Sequence, residues 1–256
     1  MPDVILLPFH QDERLPDHTL DLPSTILARI VDPDLPDDDQ WTRLVTLYDA
    51  LAHQVAAGAA AGPTVSVTGD CLATLGTLVG LQRAGVTPTI VWFDAHGDVH
   101  TLASSESGYL GGMALRMAMG GDPTRIGGPL GLRPLREDQA VLVDARDLDP
   151  AEADYLAGSQ VRHTTVADVS VSDLPDGPVL LHVDIDVIDA SEVPGLRFPA
   201  ANGPSSASVM SALGRLLASG QVAAFDIACP WREPATSAES EVRRDVLTRL
   251  LALAAT

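Results

Sequence analysis

The chain has 256 residues and a formal charge of −19 at neutral pH, which is length enough for a large domain with a full core. So acidic a balance repels phosphate and argues against nucleic acid or an anionic membrane as a partner, and no apolar run reaches the length of a membrane span. With only Cys71 and Cys229, a disulfide scaffold is excluded as well.

In chain order, Val4 to Pro8 reads as a first apolar strand. Residues 11–39 are rich in Asp and Pro and read as a long surface loop bordering a functional mouth. Apolar residues from Trp41 to Ala60 recur at helical spacing until Gly62-Pro63 stops them. Thr64 to Thr68 alternates in a β-branched run and ends at Gly69-Asp70-Cys71. A second helix fits Leu72 to Ala84, and Thr89 to Phe93 is the next strand. A Ser/Gly-rich loop from Thr101 to Gly112 leads to a short helix from Met113 to Met119, with residues 120–138 irregular. Ala140 to Val143 is a strand. Asp149 N-caps a helix that begins at Pro150. Val179 to Asp189 is an apolar run carrying acids. Ser205 to Ala218 reads as helix, Val222 to Ile227 as strand, and Ala238 to Ala254 as the last helix.

Strands that are continuous apolar runs, alternating with helices, predict an α/β fold, a three-layer α/β/α arrangement with a central, mainly parallel sheet. With no repeat, linker or composition break, residues 1–256 read as one domain. The start Met-Pro-Asp-Val-Ile has no basic leader, so a cytoplasmic location is expected. The polar motifs fall where strands end and helices begin, the edge at which parallel sheets bind ligands.

Two of those motifs carry metal-ligand side chains. Asp94, His96 and Asp98 sit at alternate positions after Val91-Trp92-Phe93, and alternate residues of an extended chain share a face. Asp184 and Asp186 repeat the pattern after His182-Val183. Carboxylates in such runs are very costly to bury unpaired, and no basic residue lies in either run. A divalent cation offsets the cost. Four Asp and one His suit one or two hard or borderline ions, of which Mn²⁺ is the natural choice.

With these motifs, the chain resembles the ureohydrolase family of arginases, agmatinases and their relatives. The family carries two Mn²⁺ ions on three segments. The second, Asp-Ala-His-x-Asp, is intact as Asp94-Ala95-His96-Gly97-Asp98. The third keeps its acids as Asp184, Asp186 and Asp189, with Ala190 where Pro is usual. The resemblance implies that Asp94 and Asp184 bridge both ions, that Asp98 binds the first and that His96 and Asp186 bind the second. It makes Asp189 an acid that orients ligands. It also implies a water activated between two ions that attacks a guanidino carbon. The first segment departs, because Thr68-Gly69-Asp70-Cys71 puts Cys71 where the family has a ligand His. Cys71 is read as a thiolate ligand beside its other reading, a small buried residue.

The substrate is a small guanidino amino acid on this resemblance. Arg146-Asp147-Leu148-Asp149-Pro150-Ala151-Glu152 resembles the segment with which arginases hold an α-amino group, so Asp149 and Glu152 take that role, with Asp149 also able to serve as the helix cap. Ser107 resembles a family Ser that contacts the substrate carboxylate. Two departures lie where the guanidinium is handled. Cys229 stands at the position of a carboxylate, and Gly111, by ungapped counting, at that of a proton-shuttling His. Losing a carboxylate partner to a cation costs several kcal/mol on the order of a broken buried pair. The less basic Nω-hydroxy-L-arginine is therefore expected, cleaved to L-ornithine and hydroxyurea, its hydroxyl reaching Cys229 or a metal. This is like a branch of the family that serves antibiotic biosynthesis. Arginine or another guanidino acid is the alternative, and a degenerate binding protein the second. His100 is either a replacement proton carrier or a rim residue that bonds substrate. His182, deeper on its strand, reads as a satisfied core residue or as one standing just behind the metal ligands, and Glu233 as a solvated acid within reach of the missing carboxylate's place. Without the long C-terminal tail that links arginase trimers, a monomer is expected.

Overall fold

The computed structural model describes residues 3–255. In chain order they form β1 (Asp3–Leu7), β2 (Phe9–His10), β3 (Glu13–Arg14), β4 (Ala28–Ile30), α1 (Gln40–Ala59), β5 (Thr64–Thr68) and α2 (Thr74–Arg83). There follow β6 (Thr89–Asp94), α3 (Ala114–Ala118), α4 (Gly127–Leu130), β7 (Ala140–Asp144), α5 (Pro150–Gly158) and β8 (Arg162–Thr164). The chain ends with β9 (Val179–Asp184), α6 (Ser206–Leu217), β10 (Val222–Ala228) and α7 (Ser237–Leu253).

Eight strands make one sheet in the order β4-β1-β5-β10-β9-β6-β7-β8, and β2 pairs with β3 in a separate small ribbon. Every pairing in the large sheet is parallel. The expected architecture is therefore the observed one. β5, β6 and β9 are buried at every position, as strands covered on both faces must be. One face packs Trp92, Leu142 and Leu180 against α1, α2 and α3. The other packs Phe93, Leu181 and Phe225 against α6 and α7.

Two strands of the large sheet lie in stretches without an apolar run. β4 and β8 are edge strands of three residues each, and Ile30 and Arg162 are exposed. Edge strands bury only one side and carry little hydrophobic signal. The 11–39 segment is mostly loop, as its composition predicts. It supplies β3 and β4, and its start braces the turn after β5. Among the described residues no helix is long and apolar enough to cross a membrane.

Candidate metal centre

The carboxyl ends of β5, β6 and β9 meet at mid-sheet, and each hands its chain to a tight turn. After β5, Gly69 donates its N–H to Phe9 O at 3.0 Å. A Cβ on Gly69 would lie 2.2 Å from that oxygen, so only glycine permits the approach. Asp70 Oδ1 accepts from Leu72 N at 2.8 Å and Oδ2 from Gln11 N. This double anchor holds the turn from which Cys71 points inward. After β6, Asp94 Oδ1 accepts from His96 N at 2.7 Å and Oδ2 from Trp92 Nε1 at 3.0 Å. After β9, Asp184 Oδ1 accepts from Asp186 N at 2.8 Å.

The ligand side chains converge by a route different from the one expected. β6 stops at Asp94 and β9 at Asp184. His96 and Asp98 lie in the following loop, and Asp186 in a single 3₁₀ turn, Ile185–Val187. Turn geometry and not strand alternation brings them together, and Asp98 adopts a left-handed φ of 52° to do so.

His96 Nδ1 lies 3.1 Å from Asp186 Oδ2 and 3.3 Å from Asp94 Oδ1. Cys71 Sγ lies 2.8 Å from Asp184 Oδ2 and 3.9 Å from Asp94 Oδ2. All five Asp and Cys side chains are buried. Among the described residues no arginine pairs with Asp94, Asp98, Asp184 or Asp186. Arg146 comes close, but it pairs with Asp144 and otherwise donates to backbone oxygens, among them Asp186 O at 3.2 Å.

The electrostatic cost is visible in the acids themselves. Burial, then the charge of Asp94, pushes Asp98 well above the carboxylate range. Burial with the charges of Asp186 and Asp94 does the same to Asp184. Asp186 is raised to about 7 by burial and Asp94. Against its own burial, His96 is driven up to about 12 by its hydrogen bonds with Asp186 and Asp94. The Cys71 thiol rises through burial and the charges of Asp184 and Asp98. Asp98 Oδ2 is buried with no hydrogen-bond partner. Acids packed this densely, with one oxygen orphaned, fit a divalent cation better than any protein partner present.

Beside the acids opens a cavity whose wall includes Cys71, His96, Asp98, Asp184 and Asp186. The candidate substrate residues Ser107, Asp149, Glu152 and His100 line it too. Asp149 is the N-cap of α5, and its N–H donates to Glu152 Oε2 at 3.1 Å. Glu152 fits there because Gly97 has no side chain, since a Cβ would sit 2.8 Å from Oε1. His100 Nε2 is 3.1 Å from Asp149 Oδ2, and Nδ1 is 3.1 Å from Ser104 Oγ. The Asp149–His100–Glu152 group thus forms an acidic corner at one end of the cavity.

Several residues sit elsewhere than the motifs implied. Cys229 is fully buried in the core beneath α6 and α7, and its neighbour Pro230 lines the cavity instead. Glu233 pairs with His18 at 2.9 Å on the exposed surface and does not replace the absent carboxylate. The hydrogen bonds of Asp189 go to the following loop and to none of the candidate ligand side chains. Asp189 accepts from Ser191 Oγ at 2.5 Å, Ser191 N at 3.0 Å and Gly203 N at 2.8 Å, bonds that hold its carboxyl at about 2 and tie down the following loop. His182 is not satisfied, because its Nε2 is buried without a partner.

Two aromatic rings of the cavity belong to none of the sequence motifs. Tyr109 covers Gly111 so closely that a Cβ there would lie 2.4 Å from its ring. It packs on Phe198 at 4.5 Å between centroids, and both line the cavity. The signal for Tyr109 was the empty side chain at Gly111, which leaves room that some other group must fill.

The family model described as the Arginase family matches residues 12–239, and the chain belongs to that family. Its curated relatives include the N(omega)-hydroxy-L-arginine amidinohydrolase of Streptomyces lavendulae, 34% identical over 168 residues that cover 61% of this chain and 59% of the relative. The arginase of Bacillus caldovelox is 31% identical over 153 residues, covering 53% of this chain and 50% of the relative. The matched sequence thus spans between half and three-fifths of these relatives. The fold extends further. The arginase of Entamoeba histolytica superposes with a TM-score of 0.81 over 99% of both chains at 19% identity. That of Bacillus caldovelox gives 0.80 over 100% of this chain and 99% of its own at 20% identity.

Proposed function

We propose that the protein is a hydrolase of linear amidines that cleaves Nω-hydroxy-L-arginine to L-ornithine and hydroxyurea, with two Mn²⁺ ions as cofactors. Cys71, Asp94, His96, Asp98, Asp184 and Asp186 would hold the ions. When bound, the ions supply an activated water and a polarised guanidino carbon. The remaining roles belong to this chain's own side chains.

The acidic corner reads the α-amino group. Asp149 offers a carboxylate, Glu152 fixes the helix start beneath it, and His100 holds Asp149 by a 3.1 Å contact. With both ring nitrogens engaged at that end of the cavity, His100 positions Asp149 and substrate in preference to carrying protons. Ser107 stands on the loop before Tyr109, where a substrate carboxylate is within reach of its hydroxyl. Tyr109 and Phe198 close the cavity with apolar surface, which excludes water and strengthens every charge interaction inside.

The observation that carries the substrate choice is the wall near the acids, where Pro230 and Tyr109 stand and Cys229 turns into the core. No spare carboxylate is present there to pair with a full guanidinium cation. A hydroxyguanidine, less basic, binds with less need of one. The activity for which the Streptomyces relative is named supports the same choice. Arginine is the second reading, favoured by relatives whose names are arginase. The test is product identification by mass spectrometry after incubation of the Mn²⁺-loaded protein with hydroxyarginine. Ornithine and hydroxyurea in equal amounts, abolished by chelator, are expected. Absence of both from fully loaded protein would remove the proposal.

A further inference from the structure

Under the acid cluster lies a buried imidazole with one nitrogen engaged and the other free. His182 projects from β9 on the same face as Asp184, stacked on Trp92 with 3.6 Å between ring centroids. Its Nδ1 lies 2.8 Å from Asp226 Oδ2 and 2.9 Å from Thr74 Oγ1. Asp226 is saturated from below, with Thr77 Oγ1 donating to it at 3.0 Å, Thr74 Oγ1 at 2.6 Å, and Ser66 Oγ closer still. A carboxylate so placed accepts the Nδ1 proton and leaves Nε2 with a bare lone pair. That Nε2 is fully buried and has no hydrogen-bond partner. A ring nitrogen of His182, a carboxylate oxygen of Asp94 and Cys71 Sγ all lie within 4.8 Å of one another.

We propose that His182 Nε2 is a metal ligand, completing with Cys71 and Asp94 the coordination of the ion on the β5 side. The arrangement has the parts such a ligand requires. A carboxylate stands on the opposite nitrogen to orient the ring, and stacking on Trp92 fixes its plane. Burial without a ligand would leave Nε2 unsatisfied, a costly state for a buried polar atom, and among the described residues no donor is aimed at it. The first motif gives up an imidazole in favour of Cys71, and β9 returns one from beneath. The ion would then rest on one soft and one borderline ligand besides its acids, a set less selective for Mn²⁺ than acids and imidazole alone.

The inference rests on the metal-centre reading, and the test separates the two. The full chain is loaded with Co²⁺, the bound metal is counted, and proton NMR records the hyperfine-shifted, exchangeable imidazole N–H signals. Two are expected, one from His96 and one from His182. The His182 proton is buried against Asp226 and should exchange with deuterium far more slowly. His182→Gln should delete that signal alone and weaken one ion by about tenfold or more, at the scale of a lost coordination contact. Asp226→Asn, which leaves the ring in place but removes its proton acceptor, should weaken the same ion and speed the exchange. A cobalt-loaded native protein whose only shifted imidazole belongs to His96 overturns the inference and spares the metal centre. Native protein that takes up no cobalt overturns both. Because the native spectrum alone decides the ligand, a variant that fails to fold does not shelter the proposal.

Discussion

Cys71 Sγ stands 2.8 Å from Asp184 Oδ2, although the two residues lie on different strand ends, separated in the sheet by β10. This contact puts the only sulfur of the cavity wall against an acid of the metal set. It requires the turn at Gly69-Asp70, whose backbone is pinned by Phe9 and Gln11. A thiol in that position, driven upward in pKa by buried acids, is costly unless a cation draws off its proton.

Cys71→Ala should therefore weaken Mn²⁺ binding by about tenfold or more, the scale at which lost coordination contacts are felt. Calorimetric titration of the native and substituted proteins checks this. Unchanged affinity for both ions would return Cys71 to the role of a packed core residue.

The metal-free protein should lose stability as pH rises. Asp98, Asp184 and Asp186 are raised in the folded state, Asp186 to about 7. A carboxyl raised above its unfolded value binds protons more tightly when folded. Its contribution is therefore full below about pH 4 and is lost as pH climbs through the folded value. Chelated protein should melt lower at about pH 8 than at about pH 5, and Mn²⁺ should reverse that order by keeping the acids ionised at no cost. Melting curves at the two pH values, with and without Mn²⁺, decide it.

Asp149→Asn should raise KM for α-amino substrates by roughly tenfold to a hundredfold, the worth of a hydrogen bond to a charged group. Guanidino compounds without an α-amino group should be little affected. Steady-state kinetics on both kinds of substrate distinguish a reader of the amino group from a helix cap, whose loss would lower the melting temperature and leave the ratio of KM values unmoved.

Gly111→Ala should expel Tyr109 from its seat, since the new Cβ would meet the ring at 2.4 Å. KM should rise and the melting temperature change little, as the loop is at the cavity mouth. A chymotryptic digest should cut the Thr101–Gly112 loop at Tyr109 faster in the variant. Equal digestion and KM would show that Tyr109 moves aside without consequence.

Cys229→Glu is the substitution that the motif comparison alone would recommend for recovering arginine. The structure predicts a different result. Cys229 is fully buried in the core, and its thiol is pushed up by burial, Asp184 and Asp226. A carboxylate there joins two others without a cation, so a loss of about 3–5 kcal/mol is expected. Urea denaturation measures it, and a stable variant with raised arginine turnover would contradict the buried placement.

What could be read from the chain follows from where its hydrophobic signal lies. β6 and β9 are unbroken apolar runs ending in acids, so both the parallel sheet and Asp94, His96, Asp98, Asp184 and Asp186 were legible from composition and spacing. β4 and β8 were not, because edge strands of three residues have no run to detect. Alternation overreached past the strand ends. His96, Asp98 and Asp186 lie past the ends of β6 and β9, and there a two-residue period no longer says where a side chain points. The partners of His182 were invisible for another reason. They come from β6, α2 and β10, which only the folded sheet brings around one ring. Tyr109 likewise depends on a loop folding back over Gly111.

Side-by-side kinetics on the Mn²⁺-loaded protein at neutral pH, with Nω-hydroxy-L-arginine and L-arginine as substrates and ornithine as the product assayed, weigh the proposed function most directly. A kcat/KM for hydroxyarginine at least about tenfold above that for arginine, a difference of about 1.4 kcal/mol in transition-state binding, is the predicted result. Equal or faster turnover of arginine would contradict it.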